Sequence, residues 1–248
     1  VVRGAYEYQG QKCSAASRLY MPASIWPDIR DEITAQLDDI SVGPPEDFRN
    51  FLNAVIDQRA FDTITDYIEH VREADNAEIL HGGTYDDSTG YFIAPTLVRA
   101  HTHDEKTLQE EIFGPITTVY VYPDDAFAET LSQADQTSPY GLTGSIFARD
   151  RNAIRTASDV LEHAAGNFYI NDKPTGAVVG QQPFGGARRS GTNDKAGSAY
   201  NLMRWVSPRA IKENFNPATH YGYAWNQPDA TEPHAESPRT EAGDGAVA

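Results

Sequence analysis

Cysteine is nearly absent from this sequence, because Cys13 is the only one among 248 residues. A single cysteine cannot form a disulfide within the chain, so the fold does not require an oxidising compartment. No apolar run approaches the roughly 20 residues that span a bilayer, which argues against a membrane helix. Lysine is also scarce, and the 20 basic residues include only five: Lys12, Lys106, Lys173, Lys195 and Lys212.

The charge of the chain is strongly negative, with 36 acidic against 20 basic residues and a formal net charge of −16. Nucleic acid and anionic membranes would be repelled by this charge, so neither is an expected partner. A carboxylate-rich surface with few lysines stays hydrated at high ionic strength, which indicates a salt-adapted source. An ordinary acidic cytosolic protein is the alternative.

Helix-like and strand-like segments alternate along the chain. Apolar residues at helical spacing predict helices over 25–40, 59–74, 124–134 and 151–161. Runs of β-branched and aromatic residues predict strands over 18–22, 78–80, 91–98, 117–122, 144–148 and 166–171. This alternation predicts an α/β fold with a mostly parallel sheet flanked by helices.

Cys13 follows an aromatic run and a glycine, and it precedes small residues, in the stretch Gly-Gln-Lys-Cys-Ser-Ala. The pattern predicts a strand-to-helix turn, where the N–H groups at a helix start would stabilise a thiolate nucleophile. From spacing alone, a small buried apolar side chain is the alternative.

Two later stretches complete a pattern with the cysteine motif. One is Gln-Glu-Glu-Ile-Phe-Gly-Pro at 109–115, and the other is a glycine-rich stretch at 171–195 that contains Gly-Gln-Gln-Pro-Phe-Gly-Gly. From Val1 to Gln227, the chain resembles the aldehyde dehydrogenase superfamily. The last motif resembles the branch that oxidises L-glutamate γ-semialdehyde, the 1-pyrroline-5-carboxylate dehydrogenases. The resemblance implies NAD-dependent oxidation of that semialdehyde to L-glutamate in proline catabolism.

The resemblance assigns the nucleophile and two cofactor contacts. Cys13 would attack the aldehyde to form a thiohemiacetal and then a thioester, and its own N–H would be one oxyanion donor. Glu111 would accept hydrogen bonds from the nicotinamide ribose, and Phe113 would lie beside the nicotinamide ring. A solvated helix-end charge and a core aromatic are the respective alternatives.

The resemblance also assigns the substrate pocket. Ser14 would hold the substrate α-carboxylate through its hydroxyl, and the Gly176 and Ala177 backbone would do so through N–H groups. Some members have Ser at the position of Ala177, and a main-chain contact should survive that change. Phe184 would pack on the aliphatic part of the substrate. A plain glycine-rich turn is the alternative for this loop.

Several parts implied by the resemblance are not found in these 248 residues. In the family, most of the nucleotide-binding domain, the general-base glutamate and an oxyanion-hole asparagine precede the cysteine. No glycine-rich dinucleotide loop follows a predicted strand here. We therefore expect a fragment that needs a nucleotide-binding part outside this chain and that gives little NAD-dependent turnover alone.

The domain layout follows from the same resemblance. It implies a catalytic domain over 1–189, a return segment over 190–203 that packs on the nucleotide-binding domain, an oligomerisation strand region over 204–215, and a C-terminal extension over 216–227. The oligomerisation strand implies a homo-oligomer. Residues 228–248 have the composition of a disordered acidic tail.

Other assignments stay open at this stage. His101 and His103 could share one strand face, but no third ligand accompanies them, so no metal site is predicted. Another aldehyde dehydrogenase, or the dehydrogenase part of a bifunctional proline oxidiser, is an alternative of the same class. A noncatalytic assembly or regulatory half-chain is an alternative of a different class. The expected location is the cytoplasm, or the mitochondrial matrix in a eukaryote.

Overall fold

The computed structural model describes residues 1–178 and 180–226, and it divides the chain into two units, Val1–Val206 and Ser207–Ala248. The helices are α1 Val2–Tyr6, α2 Trp26–Asp39, α3 Gln58–Glu73, α4 Lys106–Gln109, α5 Phe127–Gln136, α6 Arg151–Val160 and α7 Ala199–Leu202. Within these ranges, 3-10 turns span Glu7–Gly10, Asp124–Ala126, Met203–Trp205 and Ala224–Asn226.

The described residues of the first unit form ten strands. They are β1 Arg18–Pro22, β2 Ala77–His81, β3 Tyr85–Asp86, β4 Phe92–Ile93, β5 Thr96–Ala100, β6 Ile116–Tyr122, β7 Tyr140–Gly141, β8 Thr143–Ile146, β9 Asn167–Ile170 and β10 Ala187–Arg188. The predicted tail at 228–248 lies outside the described residues.

The main sheet has four strands in the order β1-β6-β5-β2. β6 is parallel to both β1 and β5, whereas β2 is antiparallel to β5 at the sheet edge. The Ile-Thr-Thr-Val-Tyr-Val-Tyr run of β6 takes a central place because β-branched residues fit a sheet that is covered on both faces. A separate parallel pair, β8 and β9, precedes the glycine-rich stretch. The predicted α/β fold is confirmed, and its main sheet is mixed, with two parallel strand pairs and one antiparallel pair.

The core forms two layers on opposite faces of the main sheet. Successive strand residues point to opposite faces, so Leu97 joins a cluster with α1 and α2, while the next residue, Val98, joins a cluster with α3. Asp57 caps the start of α3, because its carboxylate accepts a hydrogen bond from the Ala60 N–H at 2.8 Å. The predicted helices over 25–40 and 59–74 are confirmed as α2 and α3, with each end within two residues of the prediction.

One predicted strand differs from the structure. The run 91–98 divides into β4 and β5 because Pro95 has no N–H for a sheet ladder, and β4 pairs with β3 instead. The predicted oligomerisation strand region 204–215 contains the end of the Met203–Trp205 turn and forms no strand with another described segment of the same chain. Its pairing with a second copy stays a prediction. A strand requires a backbone partner, whatever its side-chain pattern.

None of the helices in the described ranges is long and apolar enough to cross a membrane. Within 1–178 and 180–226, no three His, Cys, Asp or Glu side chains come together as a metal site. His101 instead lies 3.6 Å from the Glu78 carboxylate, while the His103 ring stacks on Tyr20 with centroids 5.4 Å apart.

Replacing a buried isoleucine of α3 tests the α3 layer of the core. Ile68 is 1% exposed, so Ile68→Ala should lower the free energy of unfolding by about 3 kcal/mol through lost burial and a residual cavity. The matched control is Ile56→Ala, at a position that is 78% exposed, with an expected change within about 0.5 kcal/mol. Urea denaturation measures both, and equal losses would contradict this core assignment.

Candidate active site

Cys13 lies in a turn between the 3-10 segment Glu7–Gly10 and β1, and its side chain is exposed. It therefore follows helical structure, and the predicted strand-to-helix turn is wrong. α1 ends at Tyr6, where Glu7 takes an extended ψ of 132°, and Tyr8 and Gln9 then have left-handed φ angles of 58° and 57°. The small residues after Cys13 do not form a helix, because the Ser17 carbonyl accepts from the Thr118 N–H at 2.9 Å and leads into β1.

Two glutamine side chains anchor the nucleophile loop, which we define as residues 7–17. The Gln9 amide donates to the Ala54 carbonyl at 3.1 Å, and the Gln11 side-chain oxygen accepts from the Ile56 N–H at 3.0 Å. Before the loop, the buried Tyr6 hydroxyl donates to the Thr96 carbonyl at 3.0 Å, and burial raises the pKa of this phenol. These contacts hold the loop against neighbouring main chain on both sides.

The nucleophile loop also contacts the segment that contains the predicted cofactor residues. Gly10 has a φ of 65°, and a Cβ there would lie 2.2 Å from the Gly114 carbonyl oxygen. On its other side, a Cβ at Gly114 would lie 2.6 Å from a side-chain carbon of Ile64 on α3. Only glycine permits this backbone-to-backbone approach. The loop, the 111–114 segment and α3 are therefore stacked directly on one another.

Cys13 lines two cavities that share part of their walls, of about 50 Å³ and about 240 Å³, and we call them together the cleft. Glu111 lines both cavities, while Phe113 lines the smaller one with 45% of its surface exposed. The structure thus brings the predicted nucleophile and both predicted cofactor residues together. The larger cavity is also lined by side chains to which no role was assigned: Arg18, Glu110, Ser138, Tyr140, Thr143 and Ser190.

Arg18 and Glu110 are the charged members of this additional set. The Arg18 guanidinium donates to the Leu108 carbonyl at 3.3 Å, and burial lowers its pKa. No carboxylate among the described residues lies within 4.0 Å of it. Glu110 accepts a hydrogen bond from the Tyr67 hydroxyl at 2.5 Å, and burial together with this carboxylate raises the pKa of Tyr67 to about 12. The sequence signal for a role of Arg18 is its position as a charged residue at the start of the apolar strand β1.

The four predicted substrate residues do not line either cavity. Gly176 packs near β9, where an added Cβ would lie 3.2 Å from a ring carbon of Tyr169. Phe184 forms an isolated antiparallel bridge with Ala196, with N–H···O distances of 2.9 and 2.8 Å. Ser14 adjoins the nucleophile in sequence, and Ala177 is exposed. Their grouping around one substrate stays a prediction.

Known proteins similar to this chain agree with the motifs. A model of the aldehyde dehydrogenase family matches residues 1–211. The chain belongs to the aldehyde dehydrogenase family. Its relatives include the mitochondrial delta-1-pyrroline-5-carboxylate dehydrogenases of Dictyostelium discoideum, 56% identical over 224 residues, and of Homo sapiens, 52% identical over 227 residues. The matches cover 90% and 91% of this chain, and the chain spans about 40% of the length of each relative.

Solved structures show the same similarity in three dimensions. The delta-pyrroline-5-carboxylate dehydrogenase from Mycobacterium tuberculosis, in a crystal structure bound with NAD, is 49% identical and superposes with a TM-score of 0.78. That match covers 91% of this chain and 41% of the other. The Thermus 1-pyrroline-5-carboxylate dehydrogenase with bound NAD is 39% identical, with a TM-score of 0.74, over 82% of this chain and 38% of the other. The family inferred from the three motifs is confirmed.

A glycine substitution tests the contact between the nucleophile loop and the 111–114 segment. Gly10→Ala should lower the free energy of unfolding by about 3 kcal/mol, because the added methyl meets the Gly114 carbonyl and an alanine at this φ is strained. The control Gly197→Ala has a φ of 87° but no atom within 4 Å of the added methyl, so it should lose only about 1 kcal/mol. Urea denaturation of both variants measures the difference, and equal losses would contradict the close contact.

Proposed function

We propose that this chain supplies the nucleophile and part of the NAD site of an L-glutamate γ-semialdehyde dehydrogenase. It would also supply the loop at Gly176 and Ala177 that binds the substrate carboxylate, which we call the carboxylate-binding loop. The observation that supports this most directly is the joint exposure of Cys13, Glu111 and Phe113 in one cleft. Relatives about 50% identical are named for this activity. Because the chain spans about 40% of those relatives, we propose that the general base and the rest of the nucleotide site lie outside these residues.

The residues of the cleft fit a nicotinamide nucleotide. The Glu111 carboxylate is an acceptor for ribose hydroxyls, and the exposed Phe113 ring offers an apolar face for a flat heterocycle. NAD, when bound, would accept the hydride that leaves the substrate carbon. We infer that Glu111 and Phe113 orient this cofactor toward Cys13, with which they share a wall of the smaller cavity.

Cys13 would carry out the covalent steps. Its thiolate adds to the aldehyde carbon, a C–S bond forms, and the carbonyl π electrons move to oxygen, where the Cys13 N–H stabilises the oxyanion. Loss of hydride leaves a thioester on Cys13. Water then attacks the thioester carbon, the C–S bond breaks, and the thiolate is regenerated with release of the carboxylate. For each aldehyde, one NAD⁺ and one water are consumed, and one carboxylate, one NADH and two protons are formed.

The substrate end that bears the α-carboxylate would meet Ser14, Gly176 and Ala177. A loop with a glycine lets main-chain N–H groups approach an anion closely. Phe184 would pack on the methylene carbons between the two ends. Lys173, which precedes this loop, and the partly buried Arg18, which lines the larger cavity, are cations in an otherwise acidic protein.

We further propose that residues 204–215 pair with a second copy of the chain. Trp205 is 80% exposed in the first unit, and Ile211 and Phe215 are 79% and 90% exposed in the second. Large apolar side chains at such exposure are typical of interaction sites.

Several relatives are named as mitochondrial, so a eukaryotic source would place the protein in the mitochondrial matrix and a prokaryotic source in the cytoplasm.

Removing the thiol tests the nucleophile. In the natively expressed protein, Cys13→Ala should reduce NADH production from glutamate semialdehyde by about a thousandfold or more, because no covalent intermediate can form. Steady-state absorbance measures the rate, and circular dichroism checks that the variant is folded. Turnover within about tenfold of the parent in a folded variant would exclude Cys13 as the nucleophile.

A pair of substrates tests the carboxylate-binding loop. The parent protein should use glutamate semialdehyde about a hundredfold better in kcat/KM than butanal, which lacks the carboxylate and the ammonium. A site built for charged groups loses these contacts with the plain aldehyde. Equal or better use of butanal would rule out this substrate class and favour another aldehyde dehydrogenase activity.

A further inference from the structure

Two of the five lysines converge on a single carboxylate, that of Glu7. The Lys12 ammonium donates to Glu7 Oε2 at 2.9 Å, and the Lys173 ammonium lies 4.0 Å from the same oxygen. Lys12 immediately precedes the nucleophile Cys13, while Lys173 lies three residues before Gly176. Glu7 therefore connects the nucleophile loop with the loop proposed to bind the substrate carboxylate.

Lys173 continues this connection toward the carboxylate-binding loop. Its ammonium donates to both the carbonyl and the hydroxyl oxygen of Thr175, each at 3.0 Å. Its stem lies against α1, where a Cβ at Gly4 would be only 3.2 Å from the Lys173 Cβ. These contacts restrain the backbone immediately before Gly176. A displaced Lys173 would change the position of the N–H groups that follow it.

The three charged side chains are partly shielded from water, with side-chain exposures of 36% for Glu7, 34% for Lys12 and 31% for Lys173. The hydrogen bond from Lys12, followed by the charges of Lys12, Lys173 and Arg3, lowers the pKa of Glu7. Glu7 is thus ionised at neutral pH, and the attraction to both lysines is present under the conditions of the reaction.

We propose that Glu7 is a positioning residue, which sets the distance between Cys13 and the backbone at Gly176 and Ala177 through Lys12 and Lys173. Glutamate semialdehyde must place its aldehyde at one of these points and its carboxylate at the other. A shift of the backbone at Gly176 and Ala177 relative to Cys13 weakens binding of a substrate that has both groups. It leaves a plain aldehyde, which has no carboxylate to place there, unaffected. This inference rests on the proposed function, because it takes the substrate and its carboxylate contact from there.

The sign of the effect separates positioning from simple electrostatics. Glu7 is negative, so its replacement by glutamine removes a charge that repels a substrate carboxylate. If Glu7 acted only through its charge, Glu7→Gln would lower the KM for glutamate semialdehyde. If it positions the two loops, the same change raises that KM.

The test is steady-state kinetics of Glu7→Gln in the natively expressed protein, with glutamate semialdehyde and butanal as substrates. The KM for glutamate semialdehyde should rise about tenfold, while its kcat and both constants for butanal stay within about twofold. Glu32→Gln is the matched control, because Glu32 is exposed on α2 and has no ion pair among the described residues. The control should keep the parent constants for both substrates.

A second variant tests the same contact from the opposite loop, and it applies even if Glu7→Gln does not fold. Lys173→Met should also raise the KM for glutamate semialdehyde, and the double variant should be no worse than the more affected single variant, since both remove one shared contact. A lowered or unchanged KM, or additive losses, would overturn the positioning role. If the parent protein showed no preference for glutamate semialdehyde over butanal, the proposed function would be contradicted instead. Failure of the positioning role and failure of the proposed function are therefore distinguishable.

Discussion

The arrangement of the cleft depends on a close contact between two stretches of backbone, at Gly10 and Gly114. Because neither residue has a side chain, the nucleophile loop lies directly on the 111–114 segment, and that segment lies directly on Ile64 of α3. This stacking puts the Cys13 thiol and the Glu111 and Phe113 side chains on one cleft. A larger residue at either glycine would separate the nucleophile from the cofactor residues, so this contact is a geometric condition for the proposed chemistry.

Charge is distributed unevenly between the surface and the cleft. The chain as a whole has a formal charge of −16, which disfavours anionic partners at long range. Near the proposed substrate path, however, the partly buried Arg18 and the Lys12–Glu7–Lys173 group supply positive charge. Partly buried charges are screened less by salt than exposed ones, so these few cations keep their local effect under conditions that weaken the surface field.

Sequence periodicity located the elements whose contacts are local or strongly patterned, such as α2, α3 and β6. It failed where the outcome depends on distant parts of the chain. The small residues after Cys13 predict a helix start, but pairing with β6 across the sheet draws Ser17 into a strand register. The run 91–98 predicts one strand, but the structure divides it into β4 and β5, which pair with different partners. A strand is defined by its partner, and periodicity does not contain that information.

The sequence by itself determined the family, through three motifs whose residues are chemically specific. The resemblance to that family then pointed to three candidate side chains, those of Cys13, Glu111 and Phe113. Only the tertiary structure decided that Cys13 follows a helical segment, that Arg18 and Glu110 share the cleft, and that Glu7 lies between Lys12 and Lys173. The physical reason is that each of these features depends on how segments pack against one another in space, and the order of residues does not specify that packing.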